Sequence, residues 1–341
     1  MIASLVVILA AVAGGGLFHW LDFPVPFLLG SLFGAIIARN LVGPILDTSL
    51  FRRGGIVLIS AAAAGMLTQD AAAALFGMLP LVLGASAVLL AISAALSGPV
   101  ARMAQLDRLT ALLACLPAGM GEMANLAREL GARAEAVAAI HSLRIVILLG
   151  LLPIWTGLTL GDAIAAASAP ETESALGLIV FVAAGAGGAV VAARAGLQNP
   201  WVTLPLLLGL ILVSFGGTVP AMPQPVLNAA QIALGGSIGA RFTARDIASL
   251  PRAAIAGVFS SLILIAVSFL VLSAIVSELG GIDRASATLA VAPGGSGEMI
   301  AAAQSLGLAT AIVAGFHFVR SLVTNMVVPP IIRALVRRGL L

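Results

Sequence analysis

Three ionisable side chains recur in the same order and spacing in two parts of this chain. A glutamate in the run P-A-G-M-G-E-M is followed by a histidine and an arginine three residues apart, and the pattern repeats after P-G-G-S-G-E-M at an offset of 176 residues. A carboxylate can exchange a proton, and a guanidinium can bind another carboxylate through paired hydrogen bonds. The two sets are Glu122, His141 and Arg144, and Glu298, His317 and Arg320.

The repeated pattern indicates an internal duplication, because polar residues coincide where chance similarity between apolar segments would match only Leu and Ala. Each glutamate follows a proline and two glycines, which favour a break in a helix. A broken helix at membrane depth persists where it is buried in protein or lines a cavity. We therefore predict a binding site at the breaks, with the helix-breaking residues Pro117, Gly119, Gly121, Pro293, Gly295 and Gly297.

The histidine and arginine of each copy share one helix face, since they are separated by three residues. Arg144 lies on the order of 12 Å from the predicted start of its helix, too deep to reach the membrane surface easily. One interpretation is an ion pair within each copy, Glu122 with Arg144 and Glu298 with Arg320, that holds two helices together. The other adds a substrate carboxylate bound by arginine, with Glu or His exchanging a proton. Both remain open.

Composition indicates an all-α polytopic membrane protein. The chain has 341 residues, of which 61% are hydrophobic and 9% charged, far below the charged fraction of a soluble domain. The basic residues are spread over short loops, which argues against a nucleic-acid partner. One cysteine, Cys115, excludes an intramolecular disulfide. Two Glu and two His could ligate a metal, but each His precedes an Arg that repels a cation, so we predict neither a metal nor a cofactor.

Apolar windows predict the membrane segments. In the first copy they are 2–19, 25–42, 54–67, 71–96, the broken segment 109–130, and 136–158. In the second they are 174–193, 201–215, 226–240, 253–276, the broken segment 285–306, and 309–328. The duplication thus gives a first repeat at 1–158, an acidic external linker at 159–173 and a second repeat at 174–341.

The arginine-rich loops predict orientation, because cytoplasmic loops carry excess basic residues. If each broken segment enters and leaves on one side, each repeat crosses five times and the repeats are inverted. Both termini are then cytoplasmic, in a bacterial inner membrane, and the two breaks meet near the midplane. A version in which the broken segment crosses as a discontinuous helix and a short helix such as 54–67 does not is equally compatible with the sequence.

At the P-[AG]-G-x-G-E-M run and the following H-x-x-R, in both copies, the chain resembles the membrane AbrB family. The resemblance extends over essentially all 341 residues. It implies a multi-pass inner-membrane protein with an AbrB-type duplication, and members carry the names ammonia monooxygenase or AbrB regulator. It implies no substrate.

Three functions are compatible with these features. The first is a secondary transporter of a small anionic or zwitterionic metabolite, coupled to protons or sodium ions. The second is a membrane-embedded regulator that acts through a partner protein, and the third, a metal-dependent membrane monooxygenase, requires bound copper or iron. The sequence favours the transporter and indicates no enzyme. Expected partners are the lipid bilayer and the substrate, and assembly into a homo-oligomer is left open.

Overall fold

The computed structural model describes residues 2–160, 174–197 and 199–340. Within these ranges the chain is helical and contains no β-strand, as predicted from composition. The predicted acidic linker at 159–173 lies outside the described residues, apart from Thr159 and Leu160 at the end of a helix.

The helices of the first half alternate between long apolar segments and short ones. They are α1 (Ile2–Trp20), α2 (Pro26–Val42), α3 (Ser49–Gly65), α4 (Gln69–Gly77), α5 (Leu79–Ala104), α6 (Arg108–Cys115), α7 (Met120–Glu129) and α8 (Ala134–Leu160).

The second half follows the same order, with one long helix interrupted by a π-helical turn at Val267–Leu272. Its helices are α9 (Ala175–Arg194), α10 (Pro200–Ser214), α11 (Gln224–Gly239), α12 (Ala244–Ser249), α13 (Pro251–Ala266), α14 (Ser273–Gly280), α15 (Arg284–Val291), α16 (Ser296–Ser305) and α17 (Thr310–Arg337).

Both predicted breaks are present, but the predicted single helix at 71–96 is wrong. The structure divides that region into α4 and α5 at Met78, where Gly77 ends one helix and Leu79 begins the next, with Pro80 in its first turn. Proline is tolerated in the first turn of a helix, where its missing N–H is not needed, and disrupts a helix interior. Helix α3 also begins five residues before the predicted start at Gly54.

Six helices of the described residues are long and apolar enough to cross a membrane: α1, α5, α8, α9, α17 and the continuous segment Pro251–Gly280. Helices α3 and α4 together also pass this test, with a bend of 99° between them. Helices α2 and α10 are apolar but shorter. The chain is therefore a multi-pass membrane protein by length and composition, and the ten crossings stay a prediction.

The helices form two compact units, each built from both halves of the sequence. The first unit comprises Met1–Gly77, Pro153–Thr243 and Ser296–Gly315. Within it, α2 of the first half packs on α11 of the second, and α10 of the second packs on α3 of the first. Helices α1 and α2 approach until the backbones of Gly14 and Gly30 touch, which glycine allows because it has no Cβ.

The second unit comprises Met78–Leu152, Ala244–Gly295 and Phe316–Leu341. It contains α5 packed on α13, and the first members of both broken pairs, α6 and α15. Its core includes Leu113, Met123 and Ile140, which are fully buried. Because the units are defined by contacts and the repeats by sequence, the predicted repeat boundaries stay a prediction.

Candidate functional site

The two broken segments have matching backbone geometry. Helix α6 begins after Asp107, whose side chain accepts a hydrogen bond from the amide of Thr110, and α15 begins after Asp283 in the same way. Both helices end in an extended residue, Leu116 at φ −56°, ψ 138° and Ala292 at φ −56°, ψ 136°. The duplicated aspartates are therefore helix N-caps.

Arg144 binds the end of α6. Its Nη1 donates to the carbonyl of Leu116 at 2.9 Å, and its Nη2 donates to Ala114 at 2.8 Å and Cys115 at 3.0 Å. One turn earlier on α8, His141 Nε2 donates to the carbonyl of Leu113 at 3.1 Å. Arginine and histidine together thus bind four successive carbonyls of the half-helix.

The second copy has equivalent hydrogen bonds on α15, and we call each His–Arg pair with the carbonyls that it binds a clamp. Arg320 Nη1 donates to Ala292 at 2.6 Å and Nη2 to Gly294 at 2.9 Å, while His317 Nε2 donates to Leu289 at 2.8 Å. Arg320 also donates to His317 Nδ1 at 2.8 Å. Since Nε2 donates and Nδ1 accepts, His317 is the neutral tautomer with its proton on Nε2.

The clamp has a direct physical reason. The last four carbonyls of a helix have no partner within the helix, and they carry the negative end of its dipole. In an apolar surrounding each unsatisfied carbonyl is costly, and a cation with several donors is the favourable partner. Pro117 and Pro293 have no N–H to donate, so side chains of α8 and α17 supply the hydrogen-bond donors. The H-x-x-R spacing places both donors on the face of the helix that meets the break.

The ion pair predicted between Glu122 and Arg144 is absent from the described residues, whereas the pair of Glu298 with Arg320 stays a prediction because the two residues belong to different units. Within the second unit, Arg144 and Arg320 bind carbonyls, and neither forms a salt bridge with a described carboxylate of that unit. Both are buried, with exposed fractions of 2% and 5%, and Arg144 Nε has no hydrogen-bond partner. The second unit therefore holds two buried positive charges.

Glu122 is the third residue of α7, and its carboxylate folds back on the N-cap residue Gly119. A Cβ at Gly119 would collide with that carboxylate, whereas a Cβ at Gly121 would meet nothing within 4 Å. A glutamate at this position interacts favourably with the free N–H groups at the start of a helix. Gly119 thus leaves room for the Glu122 carboxylate, while its own backbone, at φ −64°, is one that any residue adopts.

Glu298, the third residue of α16, has a different environment. It is 1% exposed, and its Oε1 lies 3.3 Å from Nη2 of Arg52, at the start of α3. Arg52 was not among the predicted site residues, because it is 246 positions away in sequence and has no counterpart in the repeated pattern. Gly297, beside it, packs on Ile56 of α3.

The predicted site residues divide between the two units. The second unit holds the first-copy set from Pro117 to Arg144, together with Pro293, Gly295, His317 and Arg320, while Gly297 and Glu298 belong to the first unit. Pro117 and Pro293 are buried at their breaks. Among the described residues, no three His, Cys, Asp or Glu side chains gather where they could hold a metal ion.

Comparison with known proteins agrees with the resemblance seen in the motifs. The family described as "Transition state regulatory protein AbrB" matches residues 27–336, which is most of the sequence. The chain belongs to the AbrB family. Within the curated proteins it is 29% identical, over 271 residues, to the "Uncharacterized protein YhjN" of Bacillus subtilis (strain 168), covering 74% of this chain and 70% of that relative.

Proposed function

We propose that this AbrB-family protein is a secondary transporter of a small metabolite with an anionic group. The observation that carries the proposal is the pair of buried guanidinium groups at the helix breaks, each bound to carbonyls and, within the described part of the second unit, to no carboxylate. A buried charge without a counter-ion is strongly unfavourable, so such groups in membrane proteins mark substrate or ion pathways. A substrate carboxylate or phosphate would supply the missing negative charge.

Donor capacity supports a second role for Arg144 beyond its clamp. A guanidinium has five N–H groups, and Arg144 directs three hydrogen bonds to carbonyls. Its Nε–H is buried and has no partner. An arriving anion can therefore bind this guanidinium without displacing the bonds that hold α6.

Inverted repeats are supported by helix directions in the first unit. Helix α2 runs parallel to α11, since Leu28 and Leu32 meet Gly235 and Gly239 in order. Helix α11 runs antiparallel to α3, with Thr48 beside Ser237 and Gly55 beside Ala230. Equivalent helices of the two repeats, α3 and α11, thus run in opposite directions. This is the relation expected of inverted repeats. The arginine-rich loops favour a bacterial inner membrane with both termini cytoplasmic.

Ligand-dependent thermal stabilisation of the purified protein in detergent tests the proposal. A panel of short mono- and dicarboxylates, phosphorylated metabolites and amino acids should contain at least one compound that raises Tm saturably. The same compound should be taken up by proteoliposomes. Arg144→Gln and Arg320→Gln should each weaken its binding at least tenfold, which corresponds to about 1.4 kcal/mol.

Arg102→Gln is the matched control, because it removes the same charge from an exposed position at the end of α5. It should bind the ligand like the wild type. If the glutamine variants at Arg144 and Arg320 lose the clamp and fail to fold, Arg144→Lys and Arg320→Lys keep the charge with fewer donors. Folded variants that bind as tightly as the wild type would refute the proposal, as would a panel without any binding or uptake.

The family description favours a second function, a membrane-embedded regulator. It names a transition state regulatory protein. We infer that such a regulator acts through a partner, so a stoichiometric partner should co-purify with the tagged protein from its native membrane. Its presence together with absent uptake would favour regulation over transport.

A further inference from the structure

Two glutamines that the repeated motif does not include lie buried where α3, α11 and α16 meet in the first unit. Gln304, near the end of α16, donates from Nε2 to the carbonyl of Ile59 on α3 at 2.9 Å. The next residue, Ser305, donates from its hydroxyl to Oε1 of Gln231 on α11 at 2.9 Å. Gln231 is 1% exposed and Gln304 is 6% exposed.

Each glutamine has one side-chain amide atom without a hydrogen-bond partner, and the hydroxyl of Ser60 on α3 has none either. The unpaired atoms are Gln304 Oε1, Gln231 Nε2 and Ser60 Oγ. Ser60 lies on the face of α3 that meets α16, since Arg52 and Ile56 precede it at intervals of four residues and both contact α16. Buried polar groups normally have partners, and three unpaired ones at one junction require an explanation.

Oxygen atoms are the groups that this junction can offer to a ligand. Gln304 is fixed by its bond to Ile59, so its Oε1 remains the free atom. The amide of Gln231 can turn over without losing its bond, because the Ser305 hydroxyl accepts from Nε2 as well as it donates to Oε1. In that arrangement Gln231 also presents a free carbonyl oxygen. Two amide oxygens and the hydroxyls of Ser60 and Ser305 are then the side-chain oxygens that this junction can offer to a ligand.

Neutral oxygens are the ligands of hard cations, and their number and charge select the ion. A divalent ion in a buried site would need carboxylates to balance it, whereas a single positive charge can be held by dipoles. The end of a half-helix adds the negative end of its dipole, and such ends coordinate sodium in transporters built from broken helices. The positive side chain Arg52 lies at the other end of α16, paired with Glu298.

We propose that Gln231, Gln304, Ser60 and Ser305 bind one sodium ion at the C-terminal end of α16. The site lies in the first unit and joins three helices through one ion. It stands independently of the transport proposal, since sodium binding is measurable without any substrate.

Purified protein in detergent should show the ion directly. With choline chloride replaced stepwise by NaCl at constant ionic strength, Tm should rise saturably, and KCl should give a smaller rise. Equilibrium binding of radioactive sodium should approach one ion per chain. Gln304→Leu and Gln231→Leu should abolish both signals, and Ser60→Ala should weaken sodium binding severalfold.

Gln69→Leu is the matched control, because Gln69 also donates its amide to a helix carbonyl, that of Val213, but lies on an exposed part of α4. It should keep sodium binding unchanged. Gln304→Glu keeps an oxygen at the site and should retain binding even if the leucine variants fold poorly. Absence of a sodium effect on the wild type, an equal effect of potassium, or sodium binding by a folded Gln304→Leu variant would each overturn the proposal. Sodium binding by a protein that transports no anion would overturn the transport proposal alone.

Discussion

The ion pair between Arg52 and Glu298 provides a quantitative test of how α3 and α16 are joined. Arg52→Gln leaves the Glu298 carboxylate, which is 1% exposed, without its charged partner. At an effective dielectric constant of about 20, two unit charges 3.3 Å apart attract by about 5 kcal/mol. Because the Arg52 side chain is 24% exposed, water replaces part of this attraction. We expect a loss of about 3 kcal/mol, the lower end of the range for breaking a buried pair.

A double-mutant cycle separates this ion pair from the rest of each side chain. Unfolding free energies would be measured in detergent for Arg52→Gln, Glu298→Gln and the double variant. The double variant should be more stable than the sum of the single losses implies, with a coupling of about 2 kcal/mol, because it leaves no buried charge unpaired.

Arg53→Gln is the internal control for this cycle. Arg53 is the exposed neighbour of Arg52, and its guanidinium lies 5.1 Å from the ring centre of Trp201. Its replacement should cost only about 0.5–1 kcal/mol and should not couple to Glu298. A loss below about 0.5 kcal/mol for Arg52→Gln, or additive single losses, would refute the assignment of a buried ion pair.

Two further predictions concern glycines. Gly119→Ala should displace the Glu122 carboxylate from the start of α7 and cost about 0.3–1 kcal/mol of stability, the contribution of a carboxylate at a helix N-terminus. Gly121→Ala, where a Cβ meets no neighbour, should be neutral or stabilising in thermal unfolding; equal effects would contradict the close approach at Gly119. Gly14→Leu should separate α1 from α2 and lower the yield of folded protein in size-exclusion chromatography, while Gly16→Leu, next to open space, should not.

The sequence was informative about the breaks because proline and glycine act locally. Helices α6 and α15 end just before Pro117 and Pro293, each of which is followed by glycines. Proline alone does not end a helix, since Pro99 and Pro153 lie inside helices. The duplicated H-x-x-R pairs indicated buried hydrogen-bond donors.

The partner of Arg144 was predicted wrongly, because opposite charges suggested Glu122, whereas this arginine binds carbonyls. The better signal was the break itself. A half-helix that ends in an apolar surrounding leaves carbonyls that need donors. Arg144 on α8 has several donors and binds these carbonyls.

Long-range partners left no such local signal. Gln304 and Gln231 are polar residues in apolar segments, but neither is duplicated. The offset of 176 places Arg128 opposite Gln304 and Gly55 opposite Gln231. Arg52 was assigned to a loop that indicates orientation, whereas the structure begins α3 at Ser49 and brings that arginine to Glu298.

The two copies keep the same clamp but differ around their glutamates. The offset that pairs Glu122 with Glu298 pairs Arg52 of the first repeat with Asn228 of the second, so the second repeat has no arginine equivalent to the partner of Glu298. Glu298 is accordingly buried in an ion pair, while Glu122 is partly exposed and contacts the start of its own helix. A duplicated site with two identical halves would bind two ligands in the same way. The divergence leaves α16 in fixed interactions within the first unit and makes Glu122 the more exposed of the two carboxylates.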